Sequence, residues 1–352
     1  MNVLRPRSLA RAAFSVGAIY VIGSLIGFAQ RVIVTAQFGA GAEYDAFNTA
    51  FRIPDLLYNL FASGALASAF IPIYTGRLAQ HQQQAAWRLA RAVAVLVFGV
   101  LSAFALAAAI SAPWLIRTLI APGFDAAQVE LTAALMRVMV TATIIFGISG
   151  LLMGLLQSNG SFIAPALAPW FYNLGIIFGA VVLRGWGAHG LAAGVVIGAA
   201  LHLAVQVPAL VGVRRSAHGL LRETAYTRPE LRADIIQIIR LMLPRTIGLG
   251  AVQINFIVNT NLASGMGEGA VSALAIAFAV MLLPQAAIGQ AVATVLFPAI
   301  SAHAARGERA EFARLIARAI QTVFLLSLPA SIGLIVLGRP LIHLLFERGA
   351  FD

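Results

Sequence analysis

The chain of 352 residues lacks cysteine and lysine, and only 11% of its residues are charged. Without cysteine it can form no disulfide, no thiolate metal site and no cysteine nucleophile. Soluble domains carry about 25% charged residues, so a composition that is 60% hydrophobic, with a mean hydropathy of +0.89, excludes an ordinary soluble protein. Walker, HExxH and GxSxG motifs are also absent, and no catalytic constellation is predicted.

Apolar runs of about 20 residues recur along the chain and predict an all-α polytopic membrane protein. The first run follows a basic start without a cleavage site, so we expect it to remain in the protein. A Trp-bearing segment at 113–125 is expected at the membrane interface, and the basic segment 214–234 is expected to form an amphipathic surface helix. The predicted spans are 14–38, 45–77, 92–112, 130–156, 163–183, 190–213, 235–262, 270–302 and 315–338.

The basic residues set the predicted orientation. All 24 are arginines; sixteen lie in one set of loops between the spans, and four lie in the opposite set. Because cytoplasmic loops are enriched in positive charge, the N-terminus is predicted to be cytoplasmic. The same distribution explains the net charge of +11, so we predict no binding of nucleic acid.

An internal repeat predicts two lobes. Leu-Ala-Arg-Ala-Val at 89–93 matches Ile-Ala-Arg-Ala-Ile at 316–320, and Pro113 matches Pro340 at the same offset. Six spans separate the copies, which indicates a parallel repeat with a substrate site between the lobes. We expect a first lobe over 1–213, a linker over 214–234 and a truncated second lobe over 235–352. If the second lobe repeats all six spans of the first, we expect the full-length protein to continue for at least three further spans.

The stretch 45–72, DAFNTAFRIPDLLYNLFASGALASAFIP, carries charges inside an apolar run. Asp45, Arg52 and Asp55 would be costly in lipid, so they are expected to face protein or a polar cavity. Pro54 is predicted to break or kink the helix. The spacing of three places Arg52 and Asp55 on one helix face, as an inward ion pair suited to a transporter's polar chamber.

These residues also carry a family resemblance. The stretch resembles the MurJ (MviN) family of lipid II flippases, within the multidrug, oligosaccharidyl-lipid and polysaccharide exporter superfamily, and collinear matches continue through the chain. The resemblance implies two six-helix lobes, a further helix pair and a central cavity that opens to either side of the membrane. It rests on residues 45–47, 51–54, 56–57, 61–62, 64–65 and 69–72, supported by 27–28, 38–39, 121–124, Pro165, 168–169, Asn173, Gln206 and Pro208.

The chain departs from the family pattern at arginines that the resemblance assigns to the lipid diphosphate. Ser24 and Gln30 replace two of them in the first span, and Arg31 stands at an acidic position. The Asp-Arg pair expected before the proline of the eighth span reads Phe278-Ala279. The predicted substrate-binding residues are therefore Arg52, Arg31, Asp45, Asp55, Gln30, Arg245 and Asn173, with no metal ligand among them.

Several interpretations of these residues stay open. Arg52 and Asp55 form a gate, a diphosphate site or a structural pair; Arg31 contacts substrate, snorkels, or pairs with Asp45 or Asp55. His202 and Gln206 either line the cavity or form hydrogen bonds in the protein interior. Polar residues of the seventh span either hold neighbouring helices together by hydrogen bonds or coordinate a cation.

The resemblance implies a monomeric flippase of the bacterial inner membrane. It would move a lipid-linked anionic glycan precursor for peptidoglycan synthesis by alternating access, among membrane lipids and without a cofactor. Since no ATP motif occurs, an ion gradient or the membrane potential would supply the energy. Two alternatives remain: a transporter of another polyprenyl-linked glycan or of a drug, and a non-transporting scaffold or regulator.

Overall fold

The computed structural model describes residues 6–62, 64–218 and 226–351, which form helices and short turns without a strand. The α-helices are α1 (Pro6–Phe38), α2 (Ala42–Ala50), α3 (Arg52–Leu57), α4 (Gly64–Ala79), α5 (Gln83–Leu115), α6 (Ala126–Ser158), α7 (Ile163–Val181), α8 (Ala188–Ala204), α9 (Val207–His218), α10 (Arg228–Ser264), α11 (Ala270–Ala305) and α12 (Arg309–Leu345). Tyr58–Ala62 and Ile116–Ile120 are π-helical, and Arg184–Trp186 is a 3₁₀ turn.

Seven helices within the described ranges are long and apolar enough to cross a membrane. Each predicted span falls on one or more of the observed helices, usually with one or two further turns at its ends. The chain is therefore an all-α polytopic membrane protein, as predicted from its composition.

The stretch from Asp45 to Pro72 is an interrupted helix. α2 ends at Ala50, α3 begins at Arg52, and a π-helical segment follows from Tyr58 to Ala62. Pro54 has no N–H group and cannot donate to the carbonyl of Ala50, which explains the interruption at Phe51. α4 continues through Pro72 without a break.

Two segments differ from their predicted form. The segment 113–125 is not a separate interfacial piece, because α5 runs to Leu115 and continues as the π-helical turn to Ile120. The predicted surface helix 214–234 is divided: its described parts are the last residues of α9 and the first two turns of α10, and 219–225 lie outside the described residues. The Thr227 capping box and the adjacent Pro229 start α10 as an independent helix.

The chain forms two compact units, Met1–Val271 and Ser272–Asp352. The first unit takes in α10, which the sequence assigned to the second lobe, and the division into lobes stays a prediction. In the second unit, the turn between α11 and α12 is held by Glu308, which accepts hydrogen bonds from His303 and Arg306. These hydrogen bonds hold the pKa of the Glu308 carboxyl below its usual range, and the bond from His303 has the largest effect.

The core of the first unit lies between α4, α5, α6 and α8. Phe70 and Tyr74 of α4 are fully buried, as are Leu101 of α5 and Met136 of α6. Leu101 packs directly over Gly147, where an added Cβ would lie 2.1 Å from the leucine Cδ1. Glycine at this position therefore lets α5 and α6 approach closely.

Glycines bring α7 and α8 into backbone contact. A Cβ on Gly175 would lie 2.2 Å from Cα of Gly198, and a Cβ on Gly179 would lie 2.6 Å from Cα of Gly194. In lipid, helices associate by close packing because the surrounding hydrocarbon is as apolar as the helix surface. The four glycines therefore define where these two helices meet.

Gly175→Leu is expected to destabilise the protein by about 3 kcal/mol, because the new side chain must push two backbones apart. The measurement is thermal unfolding of the purified full-length protein in detergent. Gly99→Leu on α5 is the matched control, since nothing lies within 4 Å of a Cβ added there. Equal stability of the two variants would contradict this account of the α7–α8 contact.

α10 is fastened to the first helices near both of its ends. At one end, Arg77 of α4 binds Asp234. At the other, the Asn261 side chain donates to the carbonyl of Leu119 at 2.8 Å, and the amide of Gly123 donates to Ser264 Oγ at 3.1 Å. The helix is thus held near both ends against the unit to which it belongs.

The membrane orientation can be tested with reporter fusions. Fusions after residues 80 and 220 are expected to report a cytoplasmic location, and fusions near 42 and 187 an external one, because the arginine-rich loops stay inside. The first pair follows α4 and α9, and the second pair lies in the turns before α2 and α8. A cytoplasmic signal at residue 42 would overturn the orientation.

Candidate substrate site

Arg52 is the first residue of α3 and lies against α10. Its Nε donates to Thr260 Oγ1 at 2.8 Å, and its guanidinium lies 5.5 Å from the centre of the Phe256 ring. The Thr260 hydroxyl donates to the Phe256 carbonyl, so its lone pair is directed at the arginine. Among the described residues Arg52 has no other hydrogen-bond partner, which leaves the four N–H groups of its terminal nitrogens available for an anion.

Asp55 takes different partners from those of Arg52. Asn59 Nδ2 donates to Asp55 Oδ1 at 2.9 Å, and the Gln253 side chain of α10 also contacts the carboxylate. No ion pair within 4 Å joins Arg52 to Asp55, both of which are described. The predicted pair therefore shares a helix face and an electrostatic attraction, but Arg52 is anchored on Thr260 of α10 and Asp55 on Asn59 of the π-helical segment.

Asp55 also lines a cavity of ≈ 180 Å³ inside the first unit. The cavity lies between α3, α6, α7 and α8, and aromatic rings form much of its wall. Phe146 is at their centre, 5.2 Å from the ring of Tyr58, 4.9 Å from that of Tyr172 and 5.2 Å from that of His202. The lining is Phe51, Pro54, Asp55, Tyr58, Met139, Ala142, Thr143, Phe146, Pro169, Tyr172, Val195 and His202.

His202 lines this cavity and is also hydrogen-bonded on its far side. Gln206 Nε2 donates to Ser149 Oγ at 2.7 Å and to the His202 carbonyl at 2.9 Å. Ser149 Oγ also forms a hydrogen bond with His202 Nδ1, 2.7 Å away. His202 thus both lines the cavity and is hydrogen-bonded in the interior, so the two interpretations left open by the sequence both apply to this residue.

The other candidates are distributed over α1, α7 and α10. Asn173 of α7 faces α1, where a Cβ on Gly27 would lie 3.2 Å from its Nδ2. Gln30 is half-buried one turn further along α1, and Arg31 is exposed without an ion pair among the described residues. Arg245 is exposed on α10, fifteen residues or roughly 22 Å from the Arg52 contact. The structure therefore groups Asn173 with the region of Gln30 and leaves Arg245 apart.

Asp45 is fully buried near the start of α2. Its Oδ2 accepts the backbone N–H of Gly269 at 2.7 Å, and nearby Glu268 accepts the N–H of Ala42 at 3.0 Å. The carboxylates thereby join the start of α2 to the turn that precedes α11. Asp45 meets the expectation that its charge faces protein, and this contact separates it from the cavity beside Asp55.

Sequence reasoning missed a set of polar side chains at the C-terminal end of α4. This set, called here the Arg77 cluster, consists of Arg77, Gln82, Tyr226 and Asp234. Arg77 Nε and Nη2 donate to the two oxygens of Asp234, each at 2.9 Å, and Nη1 donates to Gln82 Oε1 at 3.0 Å. Tyr226 donates to Asp234 Oδ2 at 2.8 Å and lies beneath the guanidinium. The one available signal was an acid, Asp234, at the end of the basic linker.

Burial, together with the hydrogen bond to Asp234, raises the pKa of the Tyr226 hydroxyl above its ordinary value. The hydroxyl therefore stays protonated and remains a donor to the carboxylate throughout the physiological range. The side chains of Arg77 and Asp234 are only 18% and 10% exposed, so water screens this ion pair weakly. The Arg77 cluster is a closed structural contact rather than an open binding site.

Known proteins match almost the whole length of this chain. A family model described as lipid II flippase MurJ matches residues 34–352. The probable lipid II flippase MurJ of Rhizobium meliloti is 34% identical over 98% of this chain and 64% of its own length. The lipid II flippase MurJ of Burkholderia cenocepacia is 30% identical over 98% of this chain and 67% of its own. The chain thus spans about two thirds of the length of these relatives.

Solved structures agree at the level of the fold. A lipid II flippase MurJ in an inward closed conformation matches with a TM-score of 0.77 and 23% identity, covering 96% of this chain and 68% of that one. An inward-facing multidrug transporter of the MATE family matches with a TM-score of 0.69 and 17% identity, covering 94% and 73%. Given the family match over residues 34–352 and the relatives at 30–34% identity, the chain belongs to the lipid II flippase MurJ family.

Proposed function

We propose that the full-length protein moves a lipid-linked anionic glycan precursor, lipid II or a close relative, across the bacterial inner membrane. Membership of the MurJ family supports this, because curated members are named lipid II flippases. The product would supply peptidoglycan synthesis. The arginine distribution supports a cytoplasmic N-terminus.

The observation that carries the proposal is the state of Arg52. Its Nε is anchored on Thr260 and its plane lies over Phe256, while both terminal nitrogens keep their N–H groups for a further partner. A planar, preorganised guanidinium suits the bidentate binding of phosphate oxygens. In an apolar chamber a diphosphate needs such a cation, because an unpaired buried charge costs several kcal/mol.

The proposed mechanism is alternating access. The anionic headgroup binds beside Arg52, its lipid tail stays in the bilayer through a lateral opening, and the lobes rock to expose the bound headgroup on the other side. The break at Phe51 and the π-helical turn after Leu57 supply places where the backbone of this stretch can adjust. The protein would act as a monomer without a cofactor, driven by an ion gradient or the membrane potential.

Two experiments test the function. The full-length gene is expected to rescue growth of a bacterium depleted of its own lipid II flippase, and the purified protein is expected to move fluorescent lipid II between the leaflets of proteoliposomes. Translocation of lipid II in proteoliposomes would exclude the scaffold alternative. Failure of both assays with a correctly inserted protein would contradict the proposal.

The alternatives differ in chemistry. A non-transporting scaffold is favoured by the replacement of two family arginines with Ser24 and Gln30. A drug exporter for cations would need acidic groups in its cavity; Asp55 lines the cavity of the first unit, whereas Asp45 is bound to the turn before α11. Proteoliposomes that move another polyprenyl-linked glycan but not lipid II would reassign the substrate and keep the transport mechanism.

A further inference from the structure

Arg137 lies on the surface of α6 with most of its hydrogen-bonding capacity unused. Its Nε donates to the carbonyl of Ala109 on α5 at 3.1 Å, and the side chain is exposed. No carboxylate within the described ranges forms an ion pair with it. Its surroundings are apolar, since Leu106, Ile110 and Val138 are among the exposed large hydrophobic residues. An arginine at a lipid-facing position requires an anionic or polar partner.

The depth of Arg137 can be estimated from the length of its helix. α6 has 33 residues and is therefore roughly 50 Å long, against about 30 Å for the hydrocarbon core. With the helix centred, the Cα of Arg137 lies about 7 Å from the bilayer middle, on the side of Asp125. Helical side chains lean toward the helix N-terminus, and a long arginine can snorkel in that direction. Its guanidinium thus lies near the edge of the hydrocarbon core in that leaflet, a few ångström below the lipid phosphates.

A groove of ≈ 520 Å³ begins at Arg137 and runs between α6 and α8. Ala193 of α8 is the small residue of its lining, and the hydroxyl of Thr141 is already bonded to the Val138 carbonyl at 2.7 Å. Apart from the arginine, the groove therefore presents an apolar surface. Its lining is Arg137, Val138, Thr141, Ala193, Val196 and Ile197.

The groove is on the opposite side of α6 from the cavity beside Asp55. Met139, two residues after Arg137 and so about 200° around the helix, is fully buried and lines that cavity. A ligand in the groove would thus contact the outer face of the first unit and leave the cavity unoccupied.

We propose that this groove binds one anionic diacyl phospholipid, with its phosphate at Arg137 and an acyl chain along Val138, Thr141, Val196 and Ile197. Charge complementarity selects the occupant: an apolar trough with one unneutralised cation just below the headgroups matches a lipid with a net negative charge better than a zwitterionic one. Glu130 is the nearest acid on the same face of α6, two turns toward the N-terminus, and forms no ion pair among the described residues. In the predicted orientation the lipid belongs to the outer leaflet.

The test compares two lipids that differ only in their headgroups. Delipidated full-length protein is titrated with phosphatidylglycerol or phosphatidylethanolamine of identical chains, and bound lipid is counted by native mass spectrometry. We expect the anionic lipid to bind about fivefold more tightly, as one arginine near the membrane surface provides. Arg137→Gln, which keeps an N–H group for the Ala109 carbonyl, is expected to remove this preference.

Two further variants distinguish lipid binding in the groove from a general attraction of anionic lipid to the positively charged protein. Arg117→Gln removes an exposed arginine that does not line the groove and is expected to leave the preference unchanged. Ala193→Leu fills the groove without altering charge and is expected to weaken binding of both lipids. Equal binding of the two lipids to the wild-type protein, an equal loss in Arg117→Gln, no effect of Ala193→Leu, or a protein dimer in place of the lipid adduct would each overturn the proposal.

Discussion

Arg52→Ala is expected to abolish translocation of lipid II by the full-length protein without reducing its amount in the membrane. Arg52 is the best-placed cation of the candidate site: it follows the helix break at Phe51, is anchored through Nε on Thr260 and keeps four N–H donors. A diphosphate that lost this partner would carry an unneutralised charge, at a cost of several kcal/mol. The measurement is the initial rate of fluorescent lipid II translocation in proteoliposomes.

Arg52→Lys is expected to recover only part of the rate, because an ammonium group cannot form a bidentate contact with phosphate. Arg117→Ala removes an exposed arginine at the end of α5 and is the matched control, with an expected rate close to that of the wild type. Arg31 and Arg245 rank below Arg52, since both are exposed and neither contacts the α3 region. A loss in Arg31→Ala as large as in Arg52→Ala would place the substrate nearer to α1.

The double variant Arg52→Ala/Asp55→Ala distinguishes substrate binding from a structural pair. If Arg52 served only to balance Asp55, removing both charges would restore the activity that each single change destroys. The structure anchors Asp55 separately, on Asn59 and near Gln253, so we expect the double variant to stay inactive. Full rescue would remove Arg52 from the proposed substrate site.

Arg77→Ala is expected to lower the stability of the full-length protein by about 3 kcal/mol, measured by thermal or denaturant unfolding in detergent. The substitution leaves the Asp234 carboxylate largely buried, with the Tyr226 hydroxyl as its remaining strong donor. It also frees the start of α10 from the end of α4. Arg88→Ala, which removes an exposed arginine of α5 without an ion pair among the described residues, should change stability by less than about 0.5 kcal/mol.

A double-mutant cycle with Asp234→Ala measures the coupling directly. The double variant should be less destabilised than the sum of the two single variants, because it leaves no unpaired charge. If the losses of stability in the two single variants simply added, the bidentate contact would contribute no coupling free energy beyond the effects of the two separate side chains. The exchange Arg77→Asp/Asp234→Arg should restore part of the stability if the contact depends on charge more than on exact geometry.

The sequence predicted the local structure of this chain well where local physics dominates. Runs of apolar residues set the positions of the spans, and Pro54 predicted the interruption of the second span through its missing N–H group. The end of the seventh span was placed within two residues, but its start was seven residues late. The reason is that Thr227 and Pro229 start α10 inside a segment whose basic composition had suggested a surface helix.

Contacts between distant segments were not predictable in the same way. The spacing of Arg52 and Asp55 predicted a pair, but Arg52 binds Thr260, 208 positions along the chain, and Arg77 binds Asp234, 157 positions along. His202 and Gln206 lie one turn apart in the sequence, yet their common partner Ser149 is on α6. A spacing reports which residues share a helix face, and gives no information about which helix lies opposite.

By itself the sequence determined the class of the protein, the approximate positions of its apolar spans, and its resemblance to the MurJ family. These depend on local composition, helix periodicity and motif residues that one chain displays directly. Only the tertiary structure decided that α10 belongs to the same compact unit as the first six spans, that Asp45 binds the turn before α11, and that Arg52 faces α10. Membrane helices are alike in their apolar surfaces, so their neighbours are chosen by close packing at glycines and by a few polar contacts across long sequence separations.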